Sequence, residues 1–430
     1  MKKLACVIAL SSASFFAQAH NVTPGSSPEQ AVLLQGGTLY TVTQGTLQNT
    51  DILMLDGKIA EIGTGLAVPE GARVIDISGQ HVYPGLIAMD TTLGLVEMSQ
   101  IRATVDTNEV GLVTPEVMAH QAFNADSEII PTVRYNGITH AQVVPQGPLV
   151  RGQSSLMQLD GWNWQDALEK GPVGMHLTWP RAGLNTAWWE RRSPEAQRKA
   201  NEEQLERLRD TFNTAKAYHQ ARLAGALNRV DQRWEAMRAL FTGDLKLFIH
   251  ADDRRQIVQA LEFTREFGFD LVIVGGRDAW MEADALVEAD VPVVFGAPYG
   301  LPSRVDDAYD MAFSTPAKLA EAGVDFAIAY PGFWDTRNLA FAAGHAVAFG
   351  LDYDAAITAI TYAPAKILGV EEQLGSLQTG KQATLIVSKG DVLDHLGQSI
   401  TYMFIDGREV NLSNRQRQLY EKYQERLNAD

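Results

Sequence analysis

The chain has 430 residues, a formal net charge of −16 and a single cysteine, Cys6. No basic patch offsets that charge, which excludes nucleic acid and anionic membrane surfaces as natural partners. The length suits one large domain with a smaller companion.

The first element is a transport signal over residues 1–19. Lys2 and Lys3 form a basic start, an apolar run extends from Leu4 to about Phe16, and Ala17-Gln18-Ala19 supplies small residues for a signal peptidase. The run is shorter than the roughly 20 residues a bilayer span needs. Cleavage before His20 gives a periplasmic or secreted protein, and loss of Lys2 and Lys3 takes its charge to −18. It also removes Cys6, so disulfides, thiol catalysis and thiolate metal sites are excluded from the mature chain.

Residues 20–30 contain Pro24, Gly25, Ser26, Ser27 and Pro28 and read as a flexible leader. Short strands follow over Ala31–Leu34, Thr38–Val42, Asp51–Leu55, Lys58–Ile62 and Arg73–Ile77. Gly36-Gly37 and Asp56-Gly57 are the expected turns between them, the second a strong hairpin signal. A similar vocabulary returns at Thr384–Ser388, Thr401–Ile405 and Arg408–Val410, with Asp406-Gly407 as the turn. The two groups, residues 31–83 and 370–412, are predicted to build one composite β-sandwich. Ser413 to Asp430 reads as a charged terminal helix.

Between the flanks, over residues 84–369, apolar runs alternate with helical segments, the pattern of an α/β (β/α)8 barrel. Eight runs can be placed: Gly85–Thr92, Gly137–Val144, Ser155–Leu159, Val173–Thr178, Leu245–Ala251, Asp270–Gly275, Pro292–Gly296 and Asp325–Tyr330. Gly147 to Ser155 reads as a flexible loop that could touch a ligand, the plainer reading being a mere connection. An insertion over about 188–241, rich in Arg, Glu, Gln and Ala, predicts one or two long amphipathic helices after the fourth run. No Gly-x-Ser-x-Gly elbow or Gly-rich phosphate loop is present.

The stretch Pro84-Gly85-Leu86-Ile87-Ala88-Met89-Asp90-Thr91-Thr92-Leu93-Gly94 resembles the first barrel strand of the amidohydrolase superfamily, with Asp90 and Thr92 where that strand carries two histidines. The turn Gly375–Ala383, Asp406-Gly407-Arg408 and the helix Ile360–Gly369 with its Thr-x-x-Pro-Ala pattern extend the resemblance over nearly the whole mature chain. Its nearest branch is the exported imidazolonepropionase-like and prolidase-like one. The resemblance implies an active site at the C-terminal ends of the barrel strands. It also implies a divalent metal that lowers the pKa of bound water to about 7 and polarises the scissile carbonyl. Ligands come from strands 1, 5, 6 and 8, sometimes with a modified lysine on strand 4, and an aspartate on strand 8 serves as general base.

This chain departs from that pattern on several strands. Strand 4 carries His176 and no lysine, strand 5 keeps His250, Gly275 stands at the strand 6 position, and strand 8 has no aspartate before Asp335. The catalytic candidates are therefore Asp90, His250 and Asp335. Asp90, His176 and His250 are the candidate ligands of one zinc-like divalent metal, the alternative being no metal at all. His140, Asp252 and Arg277 are candidate ligand-binding residues, although Arg277 and Asp252 could equally pair with each other.

Two functions of different class follow. One is a superfamily member whose metal-dependent C–N hydrolysis is lost or weakened, serving as a ligand-binding or partner subunit, alone as a homo-oligomer or with an active paralogue. The other is an active hydrolase of cyclic amides or small dipeptides with a remodelled mononuclear site. A small molecule is the expected ligand of either.

Overall fold

The computed structural model describes residues 22–296 and 298–428. The expected transport signal, residues 1–19, lies outside them. Both chain ends contribute to one sheet. Its first part is β1 (Val32–Tyr40), β2 (Thr46–Leu55), β3 (Lys58–Gly63), β4 (Arg73–Asp76) and β5 (His81–Pro84). The barrel then supplies β6 (Leu86–Thr91), β7 (Ile138–Val143), β8 (Val150–Gln158), β9 (Leu168–Thr178), β10 (Lys246–Ala251), β11 (Leu271–Gly275), β12 (Val293–Phe295) and β13 (Phe326–Ile328). The chain returns to the first sheet with β14 (Leu385–Ser388), β15 (Ile400–Ile405) and β16 (Arg408–Glu409).

The first sheet runs β16-β15-β14-β5-β1-β2-β3, with β4 beside β1. Its junction is the antiparallel pair β14–β5, where Leu385 faces Pro84 and Val387 faces Val82. Asp56-Gly57 and Asp406-Gly407 both have positive φ at their two residues (49° and 77°; 52° and 73°), the geometry of a tight hairpin turn. Gly36-Gly37 is not the turn the sequence suggests. β1 passes through it with a register shift, and the Asp51 carboxylate accepts from the Gly36 N–H at 2.9 Å. The leader does not hang free either: the Gly25 N–H donates to Asp160 at 2.9 Å.

All eight expected barrel strands are present, in the order β6 to β13. One direction differs from a uniform (β/α)8 barrel. β8 is antiparallel to both β7 and β9, so strands 2, 3 and 4 form a meander, whereas the remaining neighbours are parallel. The barrel closes at its seam through side chains: the Thr91 hydroxyl donates to Gly332 O at 2.5 Å, and Thr336 donates to Thr91 at 2.9 Å.

Alternation along the strands decides which residues fill the barrel. On β10, Leu247, Ile249 and Ala251 pack outward into the helical layer, while Phe248 joins the inner cluster with Ile87, Met89, Val272, Val274 and Val294. His250, two residues on from Phe248, stands one layer higher on the same inner face. Gly174 on β9 leaves the space that the Phe248 ring fills. The apolar interior is therefore a plug, and polar chemistry is confined to the layer above it.

The insertion after β9 contains a helix over Pro194–Leu223, capped by Ser193 with Pro194 in its first turn. Leu208, Phe212, Ala215 and Tyr218 are its buried face. Phe212 meets Phe263 edge-on at 5.1 Å, which ties the helix to the barrel's outer layer.

Candidate active site

The polar layer sits at the C-terminal ends of β6, β9 and β10 and the start of β8. On β6 the ladder with β7 shifts register between Ala88 and Thr91, and Asp90 takes φ 51°. Such a bulge re-aims a side chain, and aspartate tolerates the left-handed region better than most residues. Asp90 thereby faces His250, with Oδ1 at 4.0 Å from Nε2. His250 and His176 meet at 3.0 Å between Nε2 and Nδ1. The three residues singled out from the sequence do converge.

A fourth residue stands among them that the sequence reading left in a loop. Arg151, near the start of β8, places Nη1 3.2 Å from His250 Nε2 and Nε 2.6 Å from the Thr178 hydroxyl. Thr178 in turn donates to Gly147 O at 2.9 Å, so the guanidinium is held from behind. An arginine cannot deprotonate and can only donate. His250 Nε2 therefore accepts, and His250 carries its proton on Nδ1.

That assignment propagates. His176 Nδ1 must donate to the same His250 Nε2, which leaves His176 Nε2 to accept from the Ser154 hydroxyl at 2.8 Å. Gln142 donates to Ser154 at 3.1 Å, and its carbonyl oxygen accepts from the Asp90 N–H at 3.3 Å. Both imidazoles are thus neutral. Burial and the neighbouring Arg151 charge hold each well below the ordinary histidine range.

Burial pushes the Asp90 carboxyl up to about 7, against the pull of Arg151 and reinforced by Asp252. Its oxygens have no hydrogen-bond partner among the described residues. Asp252, also raised by burial, accepts from the Arg277 N–H at 3.4 Å. It explains the missing side chain on strand 6: a Cβ on Gly275, which has φ 93°, would lie 2.6 Å from Asp252 Oδ1. The space a strand 6 ligand needs belongs to Asp252.

The other candidates sit elsewhere. His140 is one layer lower, against Glu169 at 3.7 Å and Thr139, and its neighbour on the same face, Gln142, is the β7 residue that reaches the site. Asp335 opens a short 3-10 turn, is exposed and lies 3.8 Å from Arg337, with no hydrogen bond or ion pair to Asp90, His176 or His250. The Arg277 guanidinium turns from Asp252 to Asp278, at 3.2 and 3.3 Å. The sequence did not announce Gln142 and Thr178, and it offered Arg151 and Ser154 only as part of a loop that could touch a ligand.

Comparison with known proteins accords with this fold. An amidohydrolase family model matches residues 317–411. A crystal structure of an amidohydrolase from Thermotoga maritima superposes with a TM-score of 0.77 at 26% identity, over 88% of this chain and 99% of that one. The chain belongs to the amidohydrolase superfamily. An amidohydrolase of Hapsidospora irregularis is 22% identical over 89% of this chain and 41% of its own length. A dihydroorotase of Citrifermentans bemidjiense is 47% identical over 62 residues, which span only 15% of that enzyme. A prolidase crystal structure with bound N-methylphosphonate-L-proline shares the fold at a TM-score of 0.56 and 17% identity. Superfamily members use a divalent metal at the mouth of this barrel. Among the described residues here, no three His, Cys, Asp or Glu side chains form a metal cage.

Proposed function

We propose that this amidohydrolase-fold protein no longer relies on metal-dependent C–N hydrolysis and uses the barrel mouth to bind a small ligand, as a ligand-binding or partner subunit. One observation carries the reading: Arg151 donates to His250 Nε2, the lone pair a metal would need. The donor set does not suit a divalent ion. The two imidazoles are hydrogen-bonded to each other at 3.0 Å, and the nearest carboxyl, Asp90, is pushed up to about 7. A buried guanidinium adds a fixed positive charge that a second cation would have to face. Arg151 instead supplies to a bound carbonyl or carboxylate some of the electrostatic stabilisation a metal would offer, without activating water.

The ligand is a small polar molecule. The residues bind and orient it: Arg151 and Asp90 at its polar end, with His176 and Ser154 fixing His250 behind them. The basic start, apolar run and Ala17-Gln18-Ala19 of the first 19 residues support export to the periplasm. The exposed Trp188, Leu301 and Val305, on loops after β9 and β12, support a partner chain, either a second copy or an active paralogue.

The convergence of Asp90, His176 and His250 favours a second reading, hydrolysis of cyclic amides or dipeptides at a remodelled mononuclear site. Turnover assays with added zinc or manganese separate the two. No metal-dependent turnover is expected. Turnover that His250→Ala abolishes would establish the second reading and end the first.

A further inference from the structure

Beside the mouth, the loops after β9, β10, β11 and β12 enclose a cleft of 810 Å³. Five arginines line it, Arg181, Arg254, Arg255, Arg277 and Arg304, against only Asp252 and Asp253. Asp278, Glu282 and Asp307 behind the wall balance the formal charge, so what the cleft offers is a cluster of guanidinium donors rather than a net positive charge.

A buried carboxylate organises the wall. Asp278, 1% exposed, accepts from Arg304 at 2.6 and 3.0 Å, from Arg277 at 3.2 and 3.3 Å and from the Arg254 N–H at 3.1 Å. Arg304 is further held by Asp307 at 3.0 Å. Arg255 lies on Asp253 at 2.9 and 3.0 Å, and Arg254 uses its Nε on Glu282. These contacts occupy one edge of Arg277 and of Arg255 and fix their planes, engage all three nitrogens of Arg304, and take only Nε of Arg254. Nη1 of Arg277, Nη1 of Arg255 and both Nη atoms of Arg254 keep no protein partner among the described residues. Arg181 has none at all there. The N-terminal N–H groups of the helix Arg254–Phe267 are already capped by Asp253 and Gln256, so the donors on offer are the guanidinium groups.

We infer that this cleft is an anion clamp for a small ligand bearing two or more oxyanion groups, a polycarboxylate or a phosphate ester. Planar guanidinium edges match carboxylate and phosphate oxygens in paired hydrogen bonds, and rigid ones lose less entropy on binding. The clamp rests on the reading that the barrel mouth is a ligand site. Asp252 lines the cleft while its Oδ1 occupies the space beside Gly275 at the end of strand 6, so the two regions adjoin at Asp252.

Calorimetric titration of the full mature chain with citrate, pyrophosphate and acetate tests it. Citrate or pyrophosphate binds, acetate does not, and binding fades as salt rises. Tighter citrate assigns a polycarboxylate, tighter pyrophosphate a phosphate ester. Arg181→Gln combined with Arg255→Gln changes two exposed side chains, and weakens binding about tenfold or more. Arg426→Gln, on the C-terminal helix Arg415–Asn428, which contributes nothing to the cleft lining, leaves it unchanged. No binding of either polyanion, or equal binding by the double variant, overturns the clamp. Binding lost only in Arg151→Gln and kept in the double variant overturns the clamp while upholding the mouth as a ligand site.

Discussion

Two arginine–carboxylate pairs in this barrel, one buried and one half-buried, serve opposite ends. Arg134 and Asp160 meet at 2.5 Å below the mouth, and Arg134 also donates to Leu159 O at 3.0 Å while Asp160 accepts from Gly25. Arg408 adds a second cation at 3.6 Å. That group is locked together and knits leader, barrel and sheet. Arg151 and Asp90 share the upper layer without a hydrogen bond between them; the arginine is held by Thr178 and His250, and the carboxyl oxygens have no hydrogen-bond partner among the described residues. The first pair is spent on structure, with Arg134 Nε the one nitrogen left buried and unpartnered among the described residues of that group. The second retains unsatisfied capacity, and unsatisfied capacity at a barrel mouth is what a ligand uses.

Substitutions that separate the pairs sharpen the contrast. Arg134→Ala leaves Asp160 buried without its closest cation and should cost about 3–5 kcal/mol of stability, measured by urea denaturation. Its effect on mouth binding, measured in the folded protein, should be small. Arg151→Met reverses the pattern. It should remove most small-anion affinity at the mouth while costing about 1–3 kcal/mol, the expense of unpairing His250 and Thr178. If Arg134→Ala weakens binding as much as Arg151→Met, the distinction fails.

The pH response should differ in sign between neighbouring groups. Burial and Arg151 keep His176 and His250 neutral, so the unfolded chain takes up protons the folded one refuses. Stability is therefore lost as pH falls below the ordinary histidine value of about 6.5. Asp90 acts oppositely. Its raised pKa favours the fold at low pH, a contribution lost as pH rises through about 7. Ionised Asp90 beside Arg151 also repels an anion, so affinity should drop across that pH, with Asp252, His176 and His250 as the other titrating neighbours. Asp90→Asn should flatten the drop. The smallest effect belongs to Asp335→Asn, expected to leave both stability and binding unchanged within about 0.5 kcal/mol.

The fold was legible because its signals are local and repeated: apolar runs at barrel spacing, two Asp-Gly hairpins, and matching β segments at both ends. The site was half legible. Asp90, His176 and His250 could be named because the frame around each survives. Arg151 could not, because β8 starts at Val150, whereas Gly152, Ser154 and Ser155 are weak strand formers and disguise its beginning as a loop. His140 was drawn toward the mouth for want of a register. One layer separates it from Gln142, and a sequence does not print layers. Gly275 looked like a lost ligand; the reason for it, the Asp252 carboxylate in the adjoining space, required coordinates.

The central claim is that Arg151 holds the place of the metal. Metal analysis of the full chain, purified without chelators and then titrated with zinc, tests it most directly. The expected result is no stoichiometric metal as purified and no tight zinc binding at the barrel mouth. One tightly bound zinc or manganese per chain, lost in His250→Ala, would contradict it.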